Sequence, residues 1–318
     1  MSYLGIDVGG TKVALRTEGD GQEPVTTSFR WPAGGEVRED LAALADQVGR
    51  LYETAPAPAA VGVAMPATLD GAGRVVAWPG RPGWNGLDLR AALAGLFPDS
   101  PVRCADDGDL GALAEAAAAH CPDVVYLGVG TGIGGGIVHG GRPFPGPERG
   151  SCEVGHLIVD RAGPPCDCGR RGCVQAVASG PATLRRAAEL RGREVDFADL
   201  LTGLTERQVW AREAVADSCA ALAAAVVGLA ELAHPQLAVI GGGFAAGVPG
   251  FVTQVAERVA RLARPGVAPV PVRPAALGGL SSLYGAVRLA RDTVPGGLGG
   301  PGAVATVDPA GRPAGASA

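Results

Sequence analysis

Aromatic side chains are scarce in this sequence, 4% of 318 residues, and positive charge is in deficit rather than surplus. A net charge of −5 and a pI near 5.5 leave no basic surface for a phosphate backbone, which argues against a nucleic-acid partner. No apolar run approaches a membrane span, since the Ala-rich stretch 220–233 is short and carries Glu231. A basic and then apolar leader is missing too, because Tyr3-Leu4 already reads as the start of a strand. These absences predict a cytoplasmic protein that meets neither nucleic acid nor membrane. What remains is a hydrophobic fraction of 47%, enough for one large or two medium cores.

Cysteine is where the sequence concentrates its chemistry. Glu153-Val154-Gly155-His156 is followed by Cys166-Asp167-Cys168-Gly169-Arg170-Arg171-Gly172-Cys173. His156, Cys166, Cys168 and Cys173 offer the number and type of donors that a tetrahedral zinc ion takes. No helix or strand of useful length fits between Pro164 and Gly172, so a metal would order this loop where a local core cannot. The alternative is a disulfide or a set of free thiols. Cys166 and Cys168 are too close in sequence to pair comfortably, and disulfides rarely persist in the cytosol.

Taken in order, residues 3–15 read as a strand, a tight glycine turn and a second strand, with a third strand over 25–31. Helical spacing covers 36–52, a buried strand 60–64, a Pro/Gly loop 78–86 and a short helix 89–96. A strand over 102–105 runs into Asp106-Asp107-Gly108-Asp109, and a helix follows over 110–120. The pattern then repeats: a strand over 124–130, a glycine turn over 131–136, and a returning strand from Ile137. Helices are expected over 181–191, 205–234, 250–262 and 281–291, with strands over 237–241 and 270–274. The repetition predicts two related halves facing each other across a cleft. The boundaries expected are 1–120 for a small first domain and 121–280 for a larger one, with helix 281–292 packing back on the first and a disordered tail over 294–318.

The glycine turns carry a function of their own. Asp7-Val8-Gly9-Gly10-Thr11-Lys12 presents backbone N–H groups unobstructed by Cβ atoms, with a hydroxyl and an ammonium beside them, which suits a phosphate oxygen. Gly130-Thr131-Gly132 opens a second such run. Neither is a P-loop, since the Gly-Lys-Ser/Thr at a helix start is missing. In this order, the two turns, the Asp-rich strand end, Glu153-x-x-His156 and the cysteine loop resemble the ROK family (repressors, open reading frames and sugar kinases), over residues 4–292. The resemblance implies an α/β, two-domain actin-like ATPase/hexokinase (ribonuclease H-like) fold with a zinc loop, and an ATP-dependent kinase acting on a hydroxyl of a hexose or hexose-like polyol.

It also implies roles. Asp7, Gly9, Gly10, Thr11, Lys12, Gly130, Thr131 and Gly132 would hold the phosphates of ATP, which Mg2+ would accompany as a cofactor, and Gly241, Gly242 and Gly243 would border the adenosine. Glu115, eight residues on, puts Asp107 in the place of the family's general base; a helix N-cap is the other role open to that residue. Asp106, Glu153, His156 and Gln175 would meet the substrate, and a structural Zn2+ would orient His156. A homodimer is the family's common state.

Four places depart from the family pattern. Asp106 and Asp109 stand where relatives carry Asn, Gln175 where they commonly carry Glu, and Gly80-Arg81-Pro82-Gly83-Trp84 replaces Asn-Leu-Pro-Gly-Trp. An ionised Asp only accepts hydrogen bonds, whereas Asn also donates, so the acceptor is expected to differ from glucose. An amino sugar or a C7-cyclitol of secondary metabolism fits, with a catalytically inactive sugar sensor as the competing reading. A DNA-binding regulator is disfavoured because only six residues precede Asp7, and a zinc hydrolase because three Cys and one His leave no coordination position open.

Overall fold

The computed structural model describes residues 1–54, 56–146 and 150–294. The described residues divide into two compact units: 1–106 with 145–146, 150 and 286–294, and 107–144 with 151–285.

The first unit is built on a five-stranded sheet. Its strands are β1 (Ser2–Val8), β2 (Lys12–Gly19), β3 (Gln22–Arg30), β4 (Ala60–Met65) and, beyond the small hairpin of β5 (Thr68–Leu69) and β6 (Val75–Ala77), β7 (Val102–Asp106). The order is β3-β2-β1-β4-β7, with β1 antiparallel to β2 and parallel to β4. Every residue of β4 is buried, as expected of a strand with parallel neighbours on both sides and cover on both faces. Helix α1 (Val37–Thr54) places Leu44, Val48 and Leu51 in the core at helical spacing, and α2 (Leu89–Leu96) adds Leu89 and Leu93. Burial of each such side chain contributes about 1.5–3 kcal/mol. The loop expected over 78–86 contains one helical turn, Pro82–Trp84, whose Trp84 is buried.

The second unit repeats the plan. After α3 (Asp107–Ala118) come β8 (Val124–Val129), β9 (Ile133–His139) and β10 (Arg142–Phe144), then α4 (Val174–Ala178), α5 (Gly180–Arg191), α6 (Phe197–Thr205) and α7 (Val209–Ala233). β11 (Leu237–Gly241), α8 (Gly243–Gly247), α9 (Phe251–Leu262), β12 (Val272–Pro274) and α10 (Ser281–Arg291) complete it. The strand order β10-β9-β8-β11-β12 has the same pairing senses as the first sheet: two antiparallel pairings, then two parallel ones. The expected internal duplication is therefore present.

Several boundaries differ from expectation for identifiable reasons. The second glycine turn is three residues long, not six, because Gly134, Gly135 and Gly136 are already inside β9. The helix expected over 205–234 is α7, which starts four residues later, at Val209: Thr205 ends the separate helix α6, and Arg207 adopts a left-handed φ of 58° between the two, with no Gly or Pro there to signal it. The helix expected over 110–120 starts at Asp107 and packs on β8 and β9, so it belongs with the second unit instead of ending the first. Of α10, the first turn goes with the second unit and the rest with the first, where a Cβ on Gly62 of β4 would overlap the Ala286 carbonyl. The apolar stretch of α7 is longer than expected, enough to cross a bilayer by length and composition, yet 50% of its most apolar window is buried within the fold. The expected tail, apart from Val294, lies outside the described residues.

Candidate active site

In the first unit the candidate site residues gather at the β1–β2 turn. Val8 pairs with Val13, and the Gly9 N–H donates to Lys12 O at 2.9 Å, closing a turn in which Gly10, Thr11 and Lys12 stand outermost. A Cβ on Gly9 would sit 2.8 Å from Lys12 O, so the turn requires glycine there. Thr11 and Lys12 are exposed, and Lys12 is the only lysine in the sequence. Asp7 is partly buried; desolvation lifts its carboxyl from 3.8 to about 6, against the lowering pull of Lys12. Sequence reasoning missed Trp31. Its indole N–H donates to Gly9 O at 2.7 Å and its backbone N–H to Thr11 O at 3.2 Å, so one residue grips the turn twice. Asp106 closes β7, partly buried, in register with Met65.

In the second unit Asp107 is the first residue of α3, and backbone contact sets its position. A Cβ on Gly108 would lie 2.5–2.6 Å from the Gly135 backbone, and one on Gly136 would lie 2.8 Å from Asp109 Oδ1. The glycines of β9 therefore let α3 approach the strand with nothing between, and a Cβ at Gly134 would still clear Asp107 Oδ1 by 4.0 Å. Glu115 fixes the helix from its other side. Buried to 1% exposure, its carboxylate accepts from Ala276 N at 2.8 Å, Leu277 N at 3.1 Å and Ser281 Oγ at 2.6 Å, while Ser282 Oγ donates to Asp107 O at 2.9 Å.

The β8–β9 turn is Gly130-Thr131-Gly132, closed by Gly130 N to Gly132 O at 2.9 Å. It mirrors the first turn in position, between the hairpin strands. Gly180, the first residue of α5, donates its N–H to Gly130 O at 2.9 Å. Gln175 reaches the same region from α4: its Oε1 accepts from Ile133 N at 3.0 Å and lies where a Cβ on Gly132 would come within 2.9 Å. That oxygen is thus occupied in supporting the turn, while Gln175 remains partly exposed. Gly241 ends β11, and Gly242 turns at φ 87° against the Val129 backbone, where only a glycine fits; Gly243 begins α8.

The 3-10 turn Val154–His156 follows the exposed Glu153 and rests on β9 through Gly155, whose Cβ would overlap Ile133 O. His156, Cys166, Cys168 and Cys173 converge with all four donor atoms within 4.8 Å of one another. His156 Nδ1 lies 3.6 Å from Cys166 Sγ, and Cys168 Sγ lies 3.7 Å from Cys173 Sγ. An ion about 2.3 Å from each sulfur sets tetrahedral sulfurs about 3.8 Å apart, close to the Cys168–Cys173 separation, so the donor set and its spacing suit such an ion. The loop is held by its own backbone: Cys166 N to Arg170 O at 2.8 Å, Gly172 N to Pro164 O at 2.8 Å, and Gly172 at φ 68° against Asp160. Cys173 then caps α4, two residues before Gln175.

A model of the ROK family matches residues 3–293. The kanosamine kinase of Amycolatopsis mediterranei (strain S699) is 57% identical over 289 residues, 91% of this chain and 95% of that protein. Among solved structures, the ROK hexokinase from Thermus thermophilus superposes with a TM-score of 0.78 at 32% identity, covering 90% of this chain and 97% of its own. A ROK family glucokinase from Streptomyces griseus, solved with glucose and AMPPNP, gives 0.79 at 24% identity over 92% and 100%, a likeness of fold. With two hairpin-turn sheets of one plan, a His/Cys3 loop and a family match from end to end of the described fold, the chain belongs to the ROK family.

Proposed function

We propose that this protein transfers the γ-phosphoryl group of ATP to a hydroxyl of an amino sugar of the kanosamine type, an aminodeoxyglucose. Kinase chemistry rests on the family and on the 57% identical relative. Asp107 is the general base: as the substrate oxygen attacks phosphorus, its proton passes to the Asp107 carboxylate and later to solvent. The rigid seat of α3 on β9 holds that carboxylate in place, which suits a reaction that depends on positioning more than on covalent chemistry. Backbone N–H groups of the turns at Gly9–Thr11 and Gly130–Gly132, with Lys12, meet the phosphates. Asp7 supplies negative charge for the Mg2+ that accompanies ATP, and Gly241–Gly243 borders the nucleoside.

The observation that carries the substrate class is the carboxylate of Asp106, directly before the base. Where the family pattern has the neutral Asn, a carboxylate attracts a protonated amine and forms a charge-assisted hydrogen bond with it. A C7-cyclitol offers no such cation, so the amino sugar is preferred. Glu153 and His156 bind sugar hydroxyls. In the metal loop, His156, Cys166, Cys168 and Cys173 would hold a structural Zn2+, which fixes the imidazole; Nδ1 faces the cysteines, leaving Nε2–H to donate away from them.

Asp107→Asn tests the chemistry. The account expects turnover with ATP and kanosamine to fall at least a thousandfold, about 4 kcal/mol, while calorimetry still detects sugar binding within a few-fold of wild type. Measurable ATP-dependent turnover by the variant near the wild-type rate removes Asp107 from its role. A wild-type protein that binds amino sugar yet never phosphorylates it is the inactive sensor.

A further inference from the structure

The peptide between Gly9 and Gly10 is flanked by two residues without side chains, and such a unit can rotate almost freely between two orientations. Its carbonyl and its N–H point in opposite directions, because the peptide is planar and trans. The bond from the Trp31 indole to Gly9 O therefore also determines where Gly10 N–H points. Trp31 is itself fixed. The Arg81 guanidinium lies 5.2 Å above its ring and Trp84 packs edge-on at 5.7 Å. Both of those answer to one carboxylate: Asp40, fully buried, accepts from Arg81 Nη1 on both oxygens at 2.8 Å and from Trp84 Nε1 at 2.8 Å.

A buried ion pair is a poor source of stability, since desolvating two charges offsets most of their attraction, but it is an effective way to fix geometry. We infer that the Asp40–Arg81 pair is a positioning device for the first glycine turn: through Trp31 it locks the Gly9–Gly10 peptide in the orientation that presents Gly10 N–H to a phosphate. Arg81 and Trp31 touch no substrate atom in this scheme; they act through the turn. The inference rests on the proposed assignment of that turn to ATP phosphates. Its consequence is specific to the nucleotide, because preorganising one donor changes the affinity for phosphate and leaves the base at Asp107 alone.

Two variants test it, Trp31→Phe, which keeps an aromatic ring but removes the N–H, and Arg81→Leu, which keeps an apolar chain under the indole. Steady-state kinetics is run alongside acylation of Lys12, the only lysine, followed by mass spectrometry with and without MgATP. The expected result is a five- to tenfold rise in KM for MgATP in both variants, the worth of about one hydrogen bond, with kcat and the sugar KM within twofold. Protection of Lys12 then requires five- to tenfold more nucleotide. Wild-type KM for MgATP and wild-type protection in both variants overturn the inference, even if their melting temperatures fall. If MgATP fails to protect Lys12 in the wild type, the assignment of the turn to phosphate fails first, and the inference with it.

Discussion

Asp7 shows how one residue's environment yields a prediction that needs no knowledge of substrate. Its carboxyl is raised from 3.8 to about 6 because burial disfavours its charge more than Lys12 favours it. Below pH 4 the group is neutral in folded and unfolded chains alike. Between about pH 4 and 6 the unfolded chain ionises while the folded one keeps its proton, so the folded state binds more protons and stability falls as pH rises; above pH 6 the penalty is constant. Asp7→Asn should therefore raise the melting temperature at pH 8, and the gain should shrink through pH 6 and vanish near pH 4. A pH-independent difference would mean that Asp7 is not ionised against its surroundings. That Asp7 lies beside a hairpin turn and Asp106 at a strand end could be read from motif and spacing alone. Trp31 could not, since a lone Trp at a strand end carries no mark of where its N–H goes, and nothing in the sequence showed Gln175 Oε1 committed to Ile133 N.

At the scale of elements, the sequence located the long helices and strands but not the short β5, β6, β10, α4 and α8 or the nine-residue α6, and its boundary errors fell where backbone conformation departs from residue type. Glycines 134–136 read as a turn because glycine usually marks one. They lie in β9, where a Cβ at Gly135 would collide with Tyr126 O and Val154 and one at Gly136 with the start of α3. The break at Arg207 is invisible because a left-handed arginine has no compositional signature. The convergence of His156 with the three cysteines was readable because donor spacing is itself the signal, and the cluster supports a prediction. As purified, the protein should carry one zinc per chain; Cys173→Ser should lose it, melt at least several degrees lower, and become cleavable by protease within 157–172. Full free-thiol titration of native protein without bound zinc, at an unchanged melting temperature, would leave the cluster as bare cysteines. Because Cys173 caps α4 and Gln175 of α4 supports the second glycine turn, metal loss should also weaken MgATP binding.

At the scale of the whole molecule, the duplicated sheet explains why two short glycine turns recur at equivalent places: each joins the central strand of its sheet to the antiparallel neighbour. The repeat was visible as strand, glycine turn, strand. Which side α3 joins was not, because a helix between two sheets has no sequence mark of its partner; its Gly108 contact with Gly135 decides it. The fold and family account for phosphoryl transfer, and under the proposed function the choice of acceptor rests on a single charge at Asp106. The ratio of kcat/KM for kanosamine to that for glucose, measured at pH 7 in wild type and in Asp106→Asn, tests that claim most directly. A charge-assisted hydrogen bond is worth about 1.5–3 kcal/mol, so the wild type should favour kanosamine and the variant should lose roughly ten- to a hundredfold of that ratio. A wild type that prefers glucose, or a ratio unmoved by Asp106→Asn, would contradict the account.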